Sequence, residues 1–355
     1  MKDTYKYLRT NIKGLSAYVP GEQPRDSSFI KLNTNENPYP PSKRVISKIK
    51  QAVNRDLRLY PDPIFKNLRK RISNIYKIDY NQIIIGNGSD ELLDMIMKAF
   101  VGKKDKVVCT YPTYNLYKVL SSVYEANLVE IESNEDFQIP IDKLIDANGH
   151  VTFLCNPNTP TGIFTDISAI RKLCDNVKGV VVVDEAYVDF ARGNCLELIK
   201  GYENLIVLRT LSKSFSLAGA RIGIGFGSLI PFLYKVKDSY NVNRISLVAA
   251  EAALDDILYA EANIKRIINL RSYLTNCLKK LEFQVYPSEA NFILIKTRHA
   301  YNLYKYLKDK KILVRYFNQR RLKDKLRITI GKKGEMDLLI NAIKDYLKGV
   351  CDGKD

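Results

Sequence analysis

Between Gln82 and about Asp238 the chain alternates short apolar runs with stretches of helical period. "QIIIG" leads into "SDELLDMIMKAFV", "KVVCT" into "TYNLYKVLSSVYE", and "HVTFLC" into "DISAIRKLCDNV"; "GVVVVD" and "NLIVLRT" follow. A strand covered on both faces has no need of polar alternation. Continuous β-branched runs separated by helices therefore predict a mostly parallel sheet sandwiched by helices, an α/β fold. The stretch "SLVAAEAALDDILYAEANIKRIINLRSYLTNCLKKL" then predicts one or two long helices. After it, "FQVY", "NFILIKT", "AYNLYKYLKDKK", "ILVRYF", "LRITIG" and a last helix predict a smaller α+β domain. The first forty residues are proline-rich and irregular. The expected organisation is an N-terminal arm over 1–40 that joins the small domain, a large domain over 41–255 and a small C-terminal domain over 256–355.

Composition narrows the function without naming it. With 355 residues the chain can bury a full core, and 46% hydrophobic with 27% charged residues is ordinary for a globular protein. No apolar run has the length of a membrane span, and "MKDTYKYLRTNIKGLSAY" lacks the core of a signal peptide, so a cytoplasmic protein is expected. Cys109, Cys155, Cys174, Cys195, Cys277 and Cys351 form no CxxC pair and read as reduced thiols. The two histidines, His150 and His299, have no partner at metal-ligand spacing, so neither metal nor histidine catalysis is expected. The net charge of +17 is spread along the chain and mixed with acids. It reads as a solvated basic surface, with no nucleic acid among the expected partners.

In a sheet of this kind ligands bind beyond the carboxyl ends of the strands. Five successive ends carry polar or glycine-rich turns: 86–90, 111–114, 156–162, 184–187 and 210–213. One such turn is unremarkable, whereas five in a row predict a single large site. "GNGSD" fits either a plain helix capped by Ser89 or Asp90, or amides that hold a phosphate; it lacks the lysine of a P-loop. "VVVVDEAYVDF" ends a buried strand on Asp184, which needs a cation or a strong donor. A protonated heterocyclic nitrogen would serve. Lys213 directly follows "NLIVLRT", where partial desolvation lowers a lysine's pKa and makes it an imine-forming nucleophile or a base. Thr210, Ser212 and Ser214 flank it, and Arg221 stands in the glycine-rich turn behind it, suited to a two-point grip on phosphate. A phosphate cup, an anion for a ring nitrogen and an imine-forming lysine are together what pyridoxal phosphate requires.

"LNTNENPYPPS", "YPDP", "NPNTPTG", "DEAYVDF", "RTLSKSFSLAGARIG" and "LRITIG", in this order, resemble the histidinol-phosphate aminotransferases, a branch of the class I/II aminotransferases. The resemblance runs from about Tyr18 to Gly331 and implies the type I pyridoxal-phosphate fold. It implies pyridoxal 5'-phosphate bound covalently to Lys213, which later moves the substrate proton. Asp184 would face the pyridine nitrogen, Tyr187 the ring hydroxyl and Tyr114 the ring face. Gly88, Ser89, Asp90, Thr210, Ser212 and Arg221 would surround the phosphate, and Tyr60 would reach it from the neighbouring subunit of a homodimer. Arg327 would grip the substrate α-carboxylate, with Tyr18, Asn35 and Arg315 lining the substrate pocket.

One position departs from the pattern. Most relatives carry asparagine immediately before "PTG", where this chain has Thr159 preceded by Asn158. A threonine hydroxyl also donates but is shorter, so the contact to the ring oxygen is expected from Thr159 with a water's help or more fully from Tyr187, with Asn158 among the cofactor-binding residues. The implied substrates are histidinol phosphate with 2-oxoglutarate, or imidazole acetol phosphate with glutamate in the biosynthetic direction of histidine synthesis. Aromatic or broad-specificity transamination and threonine-phosphate decarboxylation are the alternatives.

Overall fold

The computed structural model describes residues 4–15, 21–24, 26 and 28–351. Its largest sheet has seven strands: β1 (Ile83–Asn87), β2 (Lys106–Tyr111), β3 (Asn127–Glu132), β4 (Val151–Cys155), β5 (Val180–Asp184), β6 (Leu205–Thr210) and β7 (Ile222–Phe226). They lie in the order β1-β7-β6-β5-β4-β2-β3. Strands β6, β5, β4, β2 and β3 run parallel, while β7 is antiparallel to both of its neighbours. The sheet is therefore mixed and mostly parallel. Burial explains the apolar runs: Val181, Val183 and Val207 pack into one core, and Val182, Ile206 and Leu208 into another on the opposite face. Helices cover both faces.

Two strands escape the sequence pattern. Strand β3 lies at the sheet edge with its side chains only partly buried, so it lacks the apolar run that marks the interior strands. Strand β7 is "IGIGF", which the sequence suggests is a turn, yet all five residues are buried. Its glycines are there for close approach. A Cβ on Gly223 would lie 2.4 Å from the Gly88 carbonyl carbon and 2.5 Å from the Ser89 nitrogen. Packing against that backbone overrides the low strand propensity of glycine.

A second sheet contains β8 (Gln284–Val285), β9 (Phe292–Lys296), β10 (Arg315–Tyr316) and β11 (Lys325–Thr329), in the antiparallel order β10-β11-β9-β8. Its core includes Ile293, Ile295, Leu326 and Ile328, packed with the helices Ile257–Lys280, Ala300–Asp309 and Lys333–Cys351. "ILVRYF" is divided. Ile312–Leu313 pairs in parallel with Ile30–Lys31 of the N-terminal segment, and Arg315–Tyr316 joins the four-stranded sheet. Residues 30–37 thus leave this two-stranded pair and run toward Lys213, where the Asn37 amide donates to the Lys213 and Ser214 carbonyls at 3.0 and 3.1 Å.

Candidate active site

The five strand ends converge on one cavity of about 530 Å³. Ser89, Asp90, Tyr114, Thr159, Asp184, Tyr187, Thr210, Ser212, Lys213 and Arg221 line it, and so do Asn35, Arg315 and Arg327. A lysine and a carboxylate 29 positions apart in sequence therefore meet in one space, because β5 and β6 are parallel neighbours that end at the same edge.

Burial sets the charge state of both groups. Lys213 is pushed down to about 8, chiefly by desolvation and then by the positive charge of Arg327, with Glu36 and Asp90 opposing. Its Nζ lies 3.5 Å from the Thr34 carbonyl. Asp184 is only 3% exposed, and burial raises its carboxyl to about 6. Two donors counter that rise: the Tyr117 hydroxyl at 3.0 Å and the Ala186 amide at 3.2 Å. Tyr187 is pushed up to about 12 by burial, so it keeps its proton at neutral pH.

The turn after β1 opens helix α1 (Ser89–Phe100). Neither Ser89 nor Asp90 caps it, contrary to the plain capped-helix reading. Gly88 is the N-cap, with φ 83° and no side-chain bond to the helix amides. Glycine is required there both by that angle and by crowding, since a Cβ would lie 2.4 Å from an Arg221 nitrogen. Asp90 offers the cup only its backbone. Its carboxylate holds Arg221 at 3.2 Å and accepts from the Tyr114 hydroxyl at 3.0 Å, and an anion would repel a phosphate. On the other wall, the Thr210 and Ser212 hydroxyls are 2.9 Å apart.

Three calls need correction or restriction. Asn158 does not line the cavity. It is buried behind it, where its oxygen accepts from Thr113 at 2.7 Å and its amide donates to the Pro112 carbonyl and to Thr161. Those bonds occupy the side chain in bracing two loops, which removes it as a ring contact. Tyr60 is 78% exposed, stacked on Tyr240 at 4.3 Å and absent from the lining of this chain's own cavity. Tyr18 lies outside the described residues.

At the far end, the Arg327 guanidinium donates to the Thr159 hydroxyl at 3.2 Å and to the Asn33 carbonyl at 2.8 Å. Asn35 lines the cavity, and its side chain is held by protein partners. Its oxygen accepts from the Thr329 hydroxyl at 3.1 Å, and that hydroxyl in turn accepts from the Asn35 backbone amide at 3.0 Å. This fixes the amide orientation, so Nδ2 must donate to the Tyr187 oxygen at 3.0 Å. The Tyr187 hydrogen is then directed elsewhere.

Sequence reasoning missed Tyr117, Asn37 and the Glu185–Arg209 pair. Glu185 and Arg209 form a buried ion pair at 2.9 Å behind the site. Ser214 donates to Asp189, fastening the residue next to Lys213. The motifs "NENP", "DEAYVDF" and "RTLSKS" held the signal: their non-reacting members tie the reacting ones in place.

The residues suit a phosphorylated pyridine cofactor. Uncapped amides, paired hydroxyls and Arg221 stand at one end of the cavity, and a buried carboxylate with two donors stands deeper in. Asn33 Oδ1 and Thr34 Oγ1 are buried without a partner in residues that line the same cavity. Among the described residues no cluster of His, Cys, Asp or Glu could hold a metal ion, and no helix is long and apolar enough to cross a membrane.

Comparison with known proteins adds three findings. Residues 27–343 match the model of the family described as aminotransferase class I and II. The chain is 44% identical over 347 residues to histidinol-phosphate aminotransferase 1 of Nostoc sp., covering 96% of this chain and 98% of that one. It is 42% identical over 350 residues to histidinol-phosphate aminotransferase of Clostridium beijerinckii, with 96% and 98% covered. Among solved structures, histidinol-phosphate aminotransferase from Sinorhizobium meliloti in complex with pyridoxal-5'-phosphate superposes with a TM-score of 0.88. That match covers 98% of this chain and 99% of that one at 24% identity, and it speaks to the fold.

Proposed function

The chain belongs to the aminotransferase class I and II family, and from that premise we propose that it transfers an amino group between histidinol phosphate and 2-oxoglutarate. The biosynthetic direction consumes imidazole acetol phosphate and glutamate and serves histidine synthesis. Relatives named for this activity at 42–44% identity over nearly the whole chain favour it over aromatic transamination and threonine-phosphate decarboxylation. Pyridoxal phosphate is the cofactor, and when bound it supplies the electron sink that makes the substrate's α-proton removable.

One observation carries the residue assignments: Lys213 and Asp184 share a single cavity with Arg327 and Arg315. Lys213 is the group that holds the cofactor covalently. Its amine, lowered to about 8, would take the substrate's α-proton. Asp184 keeps the ring nitrogen protonated. Tyr187, oriented by Asn35, donates to the ring oxygen and compensates for Thr159 in place of asparagine. The α1 amides, Ser212, Thr210 and Arg221 hold the phosphate. Arg327 grips the α-carboxylate of glutamate or 2-oxoglutarate, and Arg327 and Arg315 together receive the phosphate of the other substrate, which has no carboxylate. Tyr60 completes the phosphate site of a partner subunit in a homodimer; its 78% exposure and its distance from this chain's own cavity lining support that reading.

The decisive experiment is a coupled assay of histidinol phosphate, phenylalanine and tyrosine with 2-oxoglutarate, together with a decarboxylation assay of threonine phosphate. Histidinol phosphate should give the highest kcat/KM. A higher value for either aromatic amino acid, or release of carbon dioxide from threonine phosphate, would overturn the substrate assignment.

A further inference from the structure

Tyr117 is the second residue of helix α2 (Leu116–Val123) and is fully buried. Its ring stacks on Phe153 with centroids 4.8 Å apart and planes 5° from parallel, and Tyr114 meets it edge-on at 5.7 Å. Phenylalanine would fill that space equally well, so packing leaves the hydroxyl unexplained. The hydroxyl donates to Asp184 Oδ2 at 3.0 Å. The other carboxylate oxygen has the Ala186 amide at 3.2 Å.

The groups around Asp184 mostly oppose its ionisation. Asp90 on α1 and the adjacent Glu185 raise its pKa, and burial raises it more than either. Cys155 on β4 and Tyr187 are the other titratable neighbours, and each is itself held protonated by burial. Among the largest influences on Asp184, the Tyr117 hydroxyl and the Ala186 amide act in the other direction, and Lys213 lines the same cavity. The Tyr117 phenol is itself raised well above 10 by burial and by the nearby carboxylate, so it remains a donor throughout the working range.

We propose that Tyr117 is a positioning residue of the reaction: its hydroxyl fixes the Asp184 carboxylate in one orientation and keeps it ionised toward the cavity. The proposal rests on the reading of Asp184 as the partner of the cofactor ring nitrogen. Tyr117 touches neither substrate nor cofactor in this scheme. It acts by making the anion available, because a carboxylate with one donor in a buried site protonates more readily than one with two.

The test is Tyr117→Phe in the full-length chain, which retains the stack on Phe153. Asp184 is followed by its carboxyl carbon-13 resonance as pH is varied in protein stripped of cofactor, and the pH profile of kcat is recorded for the loaded enzyme. The Asp184 titration should move up by about one pH unit. The acid limb of kcat should move in the same direction, with KM for the amino donor changed less than twofold. Tyr117→Leu, which also removes the ring, should add a loss of thermal stability. An unchanged Asp184 titration in Tyr117→Phe would overturn the proposal and leave Tyr117 a packing residue. A titration that moves while the kcat profile stays fixed would instead overturn the reading of Asp184 as the ring-nitrogen partner, with its tie to Tyr117 intact.

Discussion

The two ends of the cavity are built on opposite electrostatic principles. At the large-sheet end, Lys213 and Asp184 stand where burial has moved both toward their neutral forms, down to about 8 and up to about 6. At the small-sheet end stand the guanidinium groups of Arg327 and Arg315. A lowered amine is useful where a proton must be moved, a buried carboxylate needs donors such as Tyr117 to stay an anion, and permanent charge is useful where an anion must be held. The supports follow the same division. Lys213 and Asp184 are fastened through Asn37, Ser214 and Tyr117, whereas Arg327 is held by a carbonyl and one hydroxyl.

Removing the lysine should produce the largest effect. Lys213→Ala deletes the attachment point and the proton carrier together, so turnover should fall by about 10⁴-fold or more. The visible band of the lysine-bound cofactor should be absent from its spectrum. A normal band in that variant would break the comparison at its first term.

Next comes pH, which separates the ends without any substrate. Asp184 has a folded pKa above its value of 3.8 in a free chain, so the folded protein binds the extra proton between about pH 4 and pH 6. Its contribution to stability is therefore complete below pH 4 and is lost as pH rises through about 6, by about 3 kcal/mol. Urea unfolding of cofactor-free wild type and Asp184→Asn should show this as a stability difference that shifts toward the variant between pH 4 and pH 7. Lys213 has the opposite sign convention and the same lesson. Its folded pKa lies below 10.5, so stability rises with pH between about 8 and 10.5, and Lys213→Met should flatten that rise. Removing the Arg327 charge should make the Lys213 slope smaller, because that charge helps to lower the amine, and should leave the Asp184 slope in place.

How much of this arrangement was legible in the sequence follows the same contrast. The catalytic end could be read because strand ends of a parallel sheet share one edge, so polar turns after apolar runs had to meet. Strand β7 was hidden because Gly223 answers to the backbone of Gly88 and Ser89 and Gly225 to the Ile84 side chain, contacts no local pattern records. Tyr117 was hidden because a tyrosine in an amphipathic helix looks like core, and its hydroxyl finds Asp184 only across 67 positions. Asn158 misled for a related reason: it adjoins the site in sequence, but its side chain is spent on Thr113, Pro112 and Thr161. The bond from Asn35 to Tyr187 and those of Asn37 beside Lys213 depend on residues 30–37 running from their two-stranded pair to the end of β6, a path that no local pattern records.

The smallest expected effects lie at the junction of the two ends, where Thr159 meets Arg327. Arg327→Lys sets the scale: losing the planar two-point grip should lower kcat/KM for glutamate by about 10- to 100-fold, through KM more than kcat. Thr159 contributes one acceptor to that guanidinium at 3.2 Å. Thr159→Val keeps the shape and deletes the acceptor, which should raise KM for glutamate by about tenfold or less. Thr159→Asn restores an oxygen for Arg327 and adds an amide donor that can turn toward the cavity. If Tyr187, oriented by Asn35, already serves the ring oxygen, that extra donor has little to add, and kcat should stay within about threefold of wild type. A much larger gain in Thr159→Asn would mean that Tyr187 does not carry the contact. A loss in Thr159→Val confined to kcat, with KM untouched, would move Thr159 from the anion-holding end of the cavity to the proton-moving one.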